Sequence, residues 1–292
     1  ACRSRWASRR LEPHRSAVTA FGPGHASALA LAVLFSLVLT PLATRLAWAI
    51  GSLDQPQARK LHTSATALLG GAAVVASAFL AWFAARRLFQ GAVLPLPFGV
   101  VAGGLVALGL GLWDDRFGLG PVPKLIFQAT SAGLLVWSVG SPHLGFPAPV
   151  EIGLTMLVVV AFMNAFNFLD NMNGMVGGIT AITLAGFAAL SSPLGGAAGT
   201  AQLALAGACL GFLPYNFPRA RIFLGDAGSL ILGYSLAASL LLAMQAAPRG
   251  WALLGPPLLM AYPAFDMTFV VIRRLREGRR QQIDVRDGRV VD

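Results

Sequence analysis

Residues 150–174 read VEIGLTMLVVVAFMNAFNFLDNMNG and combine a long apolar run with a polar end. Residues 150–168 are mostly apolar, and about 20 such residues are enough for a helix to cross the hydrocarbon core of a bilayer. Residues 164–174 contain four asparagines and one aspartate. In a membrane, such side chains can form hydrogen bonds between helices. Alternatively, they can form a binding site for a sugar, a base or metal-bound water. The segment therefore predicts a spanning helix with a polar end.

The rest of the chain has the same apolar character. Apolar residues make up 56 % of it and charged residues 12 %, whereas a soluble domain has about 25 % charged residues. We therefore predict an all-α, polytopic bundle of transmembrane helices in a single domain at 26–280, after a disordered N-terminal leader (1–25) and before an atypical C-terminal tail (281–292). The nine predicted spans are 27–50, 65–85, 97–113, 122–140, 150–168, 174–190, 197–213, 228–244 and 251–272.

The basic residues predict the orientation in the membrane. The formal net charge is +10, but the basic residues do not follow one soluble face, so we expect no nucleic-acid partner and take the bilayer as the partner. Most of them lie on one side of the predicted helices, and such an excess marks the cytoplasmic side. That side carries Arg59, Lys60, Arg116, Lys124, Arg219, Arg221 and the tail from Arg273, whereas the other side carries Arg86, Arg87 and Arg249.

The acidic residues are the strongest sign of function. Outside the two tails there are seven, and six of them fall at the cytoplasmic end of a predicted helix or in a loop on that side. Carboxylates near a membrane core are costly and usually functional, whereas solvated loops would carry acids on both faces. A cluster rich in Asp and poor in Cys and His favours a hard cation such as Mg²⁺. The seven are Asp54, Asp114, Asp115, Glu151, Asp170, Asp226 and Asp266.

Asp114 and Asp115 close the third predicted helix. Neighbouring residues on a helix point about 100° apart, so we expect one carboxylate to ligate metal and the other to accept a proton or orient the nucleophile. A pair of solvated acids is the alternative, although acids at a helix C-terminus oppose the helix dipole. In the first loop, Lys60 and His62 would suit a pyrophosphate, with a positive-inside anchor as the alternative.

Two further segments supply candidate residues. Asn164 and Asn167 lie on one face of the fifth predicted helix. In the loop YNFPRARIFLGDAGS (215–229), glycines on both sides of Asp226 allow the backbone to approach a ligand closely. The helix that follows offers its N-terminus to a phosphate. A helix N-cap is the alternative role for Asp226 or Ser229.

Together these segments resemble the polyprenyl-phosphate N-acetylhexosamine-1-phosphate transferase family, glycosyltransferase family 4. That family includes undecaprenyl-phosphate GlcNAc-1-phosphate transferase and phospho-MurNAc-pentapeptide transferase. The resemblance runs from about residue 27 to about residue 280, with the motifs in the family's order. The matching stretches are DQPQARKLH (54–62) with GG (70–71), GLWDD (111–115), NAFNFLDNMNG (164–174) and YNFPRARIFLGDAGS (215–229).

The resemblance implies transfer of a sugar-1-phosphate, with GlcNAc-1-phosphate preferred, from a UDP-N-acetylhexosamine to undecaprenyl phosphate, with release of UMP. It places this reaction at the cytoplasmic face of a bacterial-type inner membrane, in cell-envelope polysaccharide synthesis. It implies Mg²⁺, with Mn²⁺ as a substitute, and leaves a homodimer open. Asp114, Asp115 and Asp226 are the implied catalytic residues, with the metal on Asp226 and Asp115. The implied substrate contacts are Lys60 and His62 for phosphates, Asn164, Asn167, Asp170 and Asn216 for the nucleotide sugar, and Phe223 for the uracil ring.

The chain departs from the family pattern in two places. Asn173 stands where the family usually has a second acid, and the family's His-containing motif and last helices, in a bundle of ten or eleven, have no counterpart after residue 280. A truncated, inactive family member is therefore one alternative. A transporter or flippase is the other, favoured by Asp266 inside the last predicted helix, because transporters place ionisable residues near the bilayer midplane.

Overall fold

The computed structural model describes residues 22–54, 65–89, 96–191 and 197–277, and most of them are helical. The long helices are α1 (Pro23–Ile50), α2 (Gly70–Leu88), α3 (Phe98–Phe117), α4 (Pro121–Val139), α5 (Ala148–Leu169), α6 (Met175–Ser191), α7 (Ala197–Asn216) and α8 (Gly225–Ala246). They are followed by α9 (Arg249–Ala252), α10 (Gly255–Leu258) and α11 (Ala261–Glu277). Between α1 and α2, the two-residue strands β1 (Leu53–Asp54) and β2 (Thr66–Ala67) pair antiparallel.

Six helices of the described chain are long and apolar enough to cross a membrane, namely α1, α2, α3, α4, α5 and α8. The protein is therefore a multi-pass membrane protein, and the predicted all-α, polytopic bundle is confirmed. α7 packs against α1, α2 and α6 and completes the bundle. The predicted leader as far as residue 21 and the predicted tail at 281–292 lie outside the described residues.

α8 is the central helix of the bundle. In its most apolar stretch of 18 residues, 83 % of the residues are buried inside the protein. In the corresponding stretches of the other five candidate spans, 22 to 39 % are buried. It packs against α2, α3, α5 and α6. A helix surrounded in this way cannot shift without disturbing its neighbours, so side chains at its ends are held in fixed positions.

Glycines let α3 pack directly against α8. A Cβ atom at Gly111 would lie 2.3 Å from the Cα of Ala227, so no larger residue fits there without movement. Farther along the same pair of helices, the Tyr234 hydroxyl donates a hydrogen bond to the carbonyl of Gly99 at 2.7 Å. Small residues at such crossings are how membrane helices approach closely. The close fit brings the end of α3 to the first turn of α8.

The start of α2 is bonded to the loop before α8. The backbone N–H groups of Gly70 and Gly71 donate hydrogen bonds to the carbonyls of Phe223 and Leu224, at 3.0 and 2.8 Å. A Cβ atom at Gly71 would lie 2.2 Å from the backbone nitrogen of Gly228. The glycine pair therefore serves close backbone packing beside the first turn of α8.

The predicted ninth span at 251–272 is wrong as one continuous helix. α9 ends at Ala252, α10 is a single turn, and α11 begins only at Ala261. Pro256 and Pro257 explain the interruption, because proline lacks a backbone N–H and is tolerated only in the first turn of a helix. The pair can begin α10 but cannot continue α9.

We call the end of the bundle where α3 ends and α8 begins the site end, and the opposite end the far end. Glu151, in the first turn of α5, lies at the far end. Its carboxylate accepts hydrogen bonds from the Ser141 hydroxyl at 3.0 Å and from the backbone N–H groups of Gly145 and Phe146 at 2.8 and 3.3 Å. This acid holds the loop between α4 and α5.

Candidate active site

Four helix ends meet at the site end. α3 packs against α4 and α8, and α5 also packs against α4 and α8. The C-terminal ends of α3 and α5 therefore lie beside the N-terminal ends of α4 and α8. Each helix contributes one polar side chain to a shared group, which we call the inner cluster: Asp114, Lys124, Asn167 and Asp226.

Lys124 connects the inner cluster. Its Nζ lies 2.6 Å from Asp114 Oδ2 and 2.9 Å from Asp226 Oδ2. It also donates to Asn167 Oδ1 at 3.4 Å. Asn167 Nδ2 in turn donates to Asp226 Oδ1 at 2.6 Å and to the Ser229 hydroxyl at 3.1 Å. Three oxygens from three helices thus converge on a single cation.

The members of the inner cluster differ in access. The Asp114 side chain is 7 % exposed, whereas that of Asp226 is 34 % exposed. Asp114 is also tied locally, because its Oδ1 accepts the backbone N–H of Leu119 at 2.7 Å. Asp226 is therefore the carboxylate that an incoming ligand can reach most easily.

Asp115 binds the start of α8. Its two carboxylate oxygens accept the backbone N–H groups of Asp226 and Ala227, at 2.8 and 3.0 Å. A carboxylate at this position satisfies N–H groups that have no partner within the helix and complements the helix dipole. The two adjacent acids therefore have different partners, Lys124 for Asp114 and the start of α8 for Asp115. The role predicted for Asp115 as a metal ligand stays a prediction.

Gly225 is needed for this contact. Its φ of +72° lies in the left-handed region, and a Cβ atom there would lie 2.7 Å from Asp115 Oδ2. The sequence predicted that glycine beside Asp226 would allow a ligand to approach. The structure shows that the group approaching this glycine is the Asp115 carboxylate.

Besides Asn167, the two other asparagines of the predicted substrate site also have protein partners. Asn164 and Gln128 exchange amide hydrogen bonds of 2.9 and 3.3 Å between α5 and α4, which is the interhelical bonding considered as an alternative. Asn216 accepts the N–H of Gly174 at 2.6 Å and donates to the carbonyl of Ile222 at 3.0 Å. Both therefore fix the walls of the site, and their substrate contacts stay predictions.

Asp170 is electrostatically linked to the inner cluster. Burial, together with the charges of Asp226 and Asp115, raises the pKa of Asp170 well above its usual range. A cation bound nearby would favour its charged form. The contact of Asp170 with the nucleotide sugar stays a prediction.

The other predicted contacts are less defined. Lys60 and His62 lie outside the described residues. Phe223 uses its backbone to join β2 and α2, because its N–H donates to the carbonyl of Ala67 at 2.8 Å and its carbonyl accepts the N–H of Gly70. Stacking of the Phe223 ring on uracil stays a prediction.

Comparison with known proteins identifies the family. The family described as "Glycosyl transferase family 4" matches residues 97–244. The decaprenyl-phosphate N-acetylglucosaminephosphotransferase of Mycolicibacterium smegmatis is 36 % identical over 291 aligned positions, covering 86 % of this chain and 71 % of that protein. The chain belongs to glycosyl transferase family 4. The resemblance seen in the sequence is thereby confirmed.

Two more relatives of this glycosyl transferase family 4 member have related names. A probable undecaprenyl-phosphate N-acetylglucosaminyl 1-phosphate transferase of Bacillus subtilis is 32 % identical, covering 85 % of this chain and 71 % of that protein. The undecaprenyl-phosphate alpha-N-acetylglucosaminyl 1-phosphate transferase of Yersinia pestis is 29 % identical, covering 84 % and 70 %. The family match at 97–244 contains all four residues of the inner cluster.

Sequence reasoning missed Lys124 as a functional residue of this family member. A basic residue near the cytoplasmic end of a helix is typical of a positive-inside anchor, and it was read as one. The available signal was its setting: Lys124 is the one charged residue of α4 and lies in its first turn, with Gln128 one turn later on the same face. Both side chains bond to α5.

The inner cluster suits a divalent cation that is shared with a substrate. Among the residues that the structure describes, no group of three or more His, Cys, Asp or Glu side chains could hold a metal ion by itself. Mg²⁺, however, is usually bound by one or two carboxylates together with substrate phosphates. Asp114 and Asp226 supply two carboxylates that already surround a cationic nitrogen. The donor set of this glycosyl transferase therefore fits Mg²⁺.

Proposed function

We propose that this protein transfers GlcNAc-1-phosphate from UDP-GlcNAc to a polyprenyl phosphate in the membrane, with release of UMP. Its relatives are named as polyprenyl-phosphate N-acetylglucosamine-phosphate transferases. The observation that supports it within this chain is the inner cluster, in which one lysine and two aspartates from three helices converge at one end of a membrane bundle. Such a site suits a phosphorylated substrate whose lipid lies in the surrounding bilayer.

The reaction exchanges one phosphoanhydride for another. An oxygen of the polyprenyl phosphate attacks the β-phosphorus of UDP-GlcNAc and forms a new P–O–P bond. The bond from the β-phosphorus to the oxygen bridging the α-phosphate breaks, and UMP leaves with that electron pair. A phosphomonoester has a second pKa of about 6, so the nucleophile is already mostly ionised near neutral pH. The enzyme must chiefly position the two phosphates and neutralise their charge.

The inner cluster provides these functions. Lys124 binds phosphate oxygens as a mobile ammonium group, exchanging its contacts with Asp114 and Asp226 for contacts to the substrate. Asp226, the more exposed carboxylate, and Asp114 would hold Mg²⁺ (or Mn²⁺), which when bound supplies charge neutralisation for the pyrophosphate. Asn167 orients the Asp226 carboxylate through its 2.6 Å hydrogen bond.

Asp115 acts as a positioning residue in this proposal. It fixes the backbone of Asp226 and Ala227, and so fixes the direction in which Asp226 points. The site end carries most of the loop arginines and lysines. The positive-inside rule therefore supports a cytoplasmic active site, on the side where a soluble nucleotide sugar is available.

The test is a transfer assay with two radiolabels. Purified protein in detergent receives Mg²⁺, undecaprenyl phosphate and UDP-GlcNAc labelled either in the sugar or in the uridine. The sugar label should enter the butanol-extractable lipid and the uridine label should remain in water as UMP. Chelation by EDTA should stop the reaction, and Asp114→Asn should abolish it. UDP-GalNAc and UDP-MurNAc-pentapeptide are the competing donors.

Two results would overturn the proposed reaction, and a third would change the assignment of the site. Transfer of both labels to lipid would mean a different bond is broken. Absence of transfer by the wild-type protein with all three donors would support the inactive-member alternative. A wild-type rate for Asp114→Asn would remove that residue from the site.

A further inference from the structure

An apolar crevice lies between α2, α3, α7 and α8, away from the inner cluster. Its volume is about 210 Å³, and α8 forms its floor. The rim residues Phe79, Val101 and Leu105 are 58, 44 and 62 % exposed, so the crevice opens sideways toward the hydrocarbon of the bilayer. An aliphatic chain can therefore enter it from the membrane.

Polar groups without partners face this apolar space. Gln202 is only 5 % exposed, and both its Nε2 and Oε1 have no hydrogen-bond partner within the described chain. The same holds for the indole N–H of Trp82 among the residues that the structure describes. Both residues line the crevice. A buried donor without an acceptor is costly, so these groups point to a ligand that carries hydrogen-bond acceptors.

The two residues lie at a defined depth. Trp82 comes six residues before the end of α2, and Gln202 comes five residues after the start of α7. With a rise of 1.5 Å per residue, they are about 9 Å and about 7.5 Å from the far end of their helices. Since one leaflet contributes about 15 Å of hydrocarbon, both groups lie in the leaflet at the far end rather than at the midplane.

Two adjacent arginines follow the crevice residue Trp82 one turn later on α2, and Arg86 contacts the Trp82 ring. Arg86 and Arg87 occupy the last turn of α2 at the far end. The Arg86 guanidinium lies 5.6 Å from the ring centroid of Trp82, the crevice residue, and Arg87 lies 4.9 Å from that of Phe83. Basic side chains at the end of a membrane helix attract anionic lipid headgroups, and guanidinium matches phosphate geometry.

We infer that the crevice binds one anionic diacyl phospholipid from the leaflet opposite the active site. One acyl chain fills the apolar space, the ester oxygens accept from Trp82 Nε1 and Gln202 Nε2, and the headgroup phosphate binds Arg86 and Arg87. A polyprenyl chain fits these observations less well, because an isoprenoid tail has no acceptor at the depth of Trp82 and Gln202. The site is separate from the inner cluster and does not depend on the proposed reaction.

The test uses the full chain, purified and stripped of lipid, in native mass spectrometry with dioleoyl phosphatidylglycerol. One molecule should bind, about tenfold more tightly than phosphatidylcholine. Arg86→Gln combined with Arg87→Gln should remove that preference. Trp82→Phe, which loses only the indole N–H and part of the ring, should weaken binding about threefold. Trp137→Phe, an exposed tryptophan on α4 outside the crevice, is the matched control and should bind normally.

Brominated phosphatidylglycerol locates the lipid independently. Bromines on the acyl chain should quench tryptophan fluorescence in the wild-type protein, and the Trp82→Phe variant should lose most of that quenching. Equal affinity for phosphatidylcholine, normal binding by the arginine double variant, or quenching that survives Trp82→Phe would each overturn the proposal. One-for-one displacement of phosphatidylglycerol by undecaprenyl phosphate would assign the crevice to the polyprenyl lipid instead.

Discussion

The carboxylates at the two ends of the bundle differ in exposure and in hydrogen-bond partners. At the far end, Glu151 is 5 % exposed and accepts three hydrogen bonds, all from neutral donors in residues 141–146 of the neighbouring loop. At the site end, Asp226 is 34 % exposed and is bonded to Lys124 and Asn167 from two other helices. A buried acid satisfied by its own loop stabilises structure. An accessible acid that shares a cation with another acid from a distant part of the chain is prepared to bind a ligand.

Replacing Lys124, the cationic side chain shared by Asp114 and Asp226, should show the difference between the two ends of the bundle most clearly. Lys124→Gln leaves Asp114 and Asp226 without the positive charge between them and removes the phosphate contact. We expect the transfer rate to fall about a hundredfold, measured with saturating UDP-GlcNAc and undecaprenyl phosphate. Arg116→Gln is the matched control, because Arg116 lies at the same end but is exposed, and within the described residues its side chain donates a hydrogen bond to the carbonyl of Gly51 rather than to the inner cluster. Equal loss in both variants would mean that general charge at this end matters rather than the inner cluster.

A smaller loss should follow from Asp115→Asn. The amide retains one acceptor oxygen and loses the charge, so the start of α8 keeps part of its cap and Asp226 becomes less well fixed. We expect the transfer rate to fall about tenfold, with a lower unfolding temperature. The Mg²⁺ concentration for half-maximal rate should stay near that of the wild type. A large increase in that concentration would instead make Asp115 a metal ligand, as the sequence first suggested.

Part of this arrangement could be predicted from the sequence. The apolar runs were sufficient to predict a bundle of membrane helices. The concentration of acidic residues on one side of the membrane was sufficient to select Asp114 and Asp226 as candidate site residues. The contact between Asp115 and the start of α8 was not accessible, because it joins residues 111 positions apart through a helix crossing that depends on Gly111. Lys124 was overlooked because a basic residue is expected both at the cytoplasmic end of a membrane helix and in a phosphate site. Its residue type alone does not distinguish the two roles. Pro256 and Pro257 were visible in the sequence and should have ended the ninth span.

The smallest effect on activity should come from the far end. Glu151→Ala leaves the Ser141 hydroxyl and two backbone N–H groups without an acceptor, which should lower the free energy of unfolding by about 1–3 kcal/mol. The transfer rate per folded molecule should not change. Thermal unfolding in detergent and the transfer assay, performed on the same preparation, measure the two quantities separately. Normal stability in this variant would mean that the hydrogen bonds of Glu151 to the loop between α4 and α5 do not stabilise the fold.

The most direct measurement compares Asp226→Asn with Glu151→Gln in the two-label transfer assay. Both changes replace one carboxylate by an amide of the same size, one at each end of the bundle. Asp226→Asn should lower the rate of sugar-label transfer about a thousandfold, while Glu151→Gln should transfer at the wild-type rate. A near wild-type rate for Asp226→Asn, or an equal loss in both variants, would contradict the assignment of the reaction to the site end.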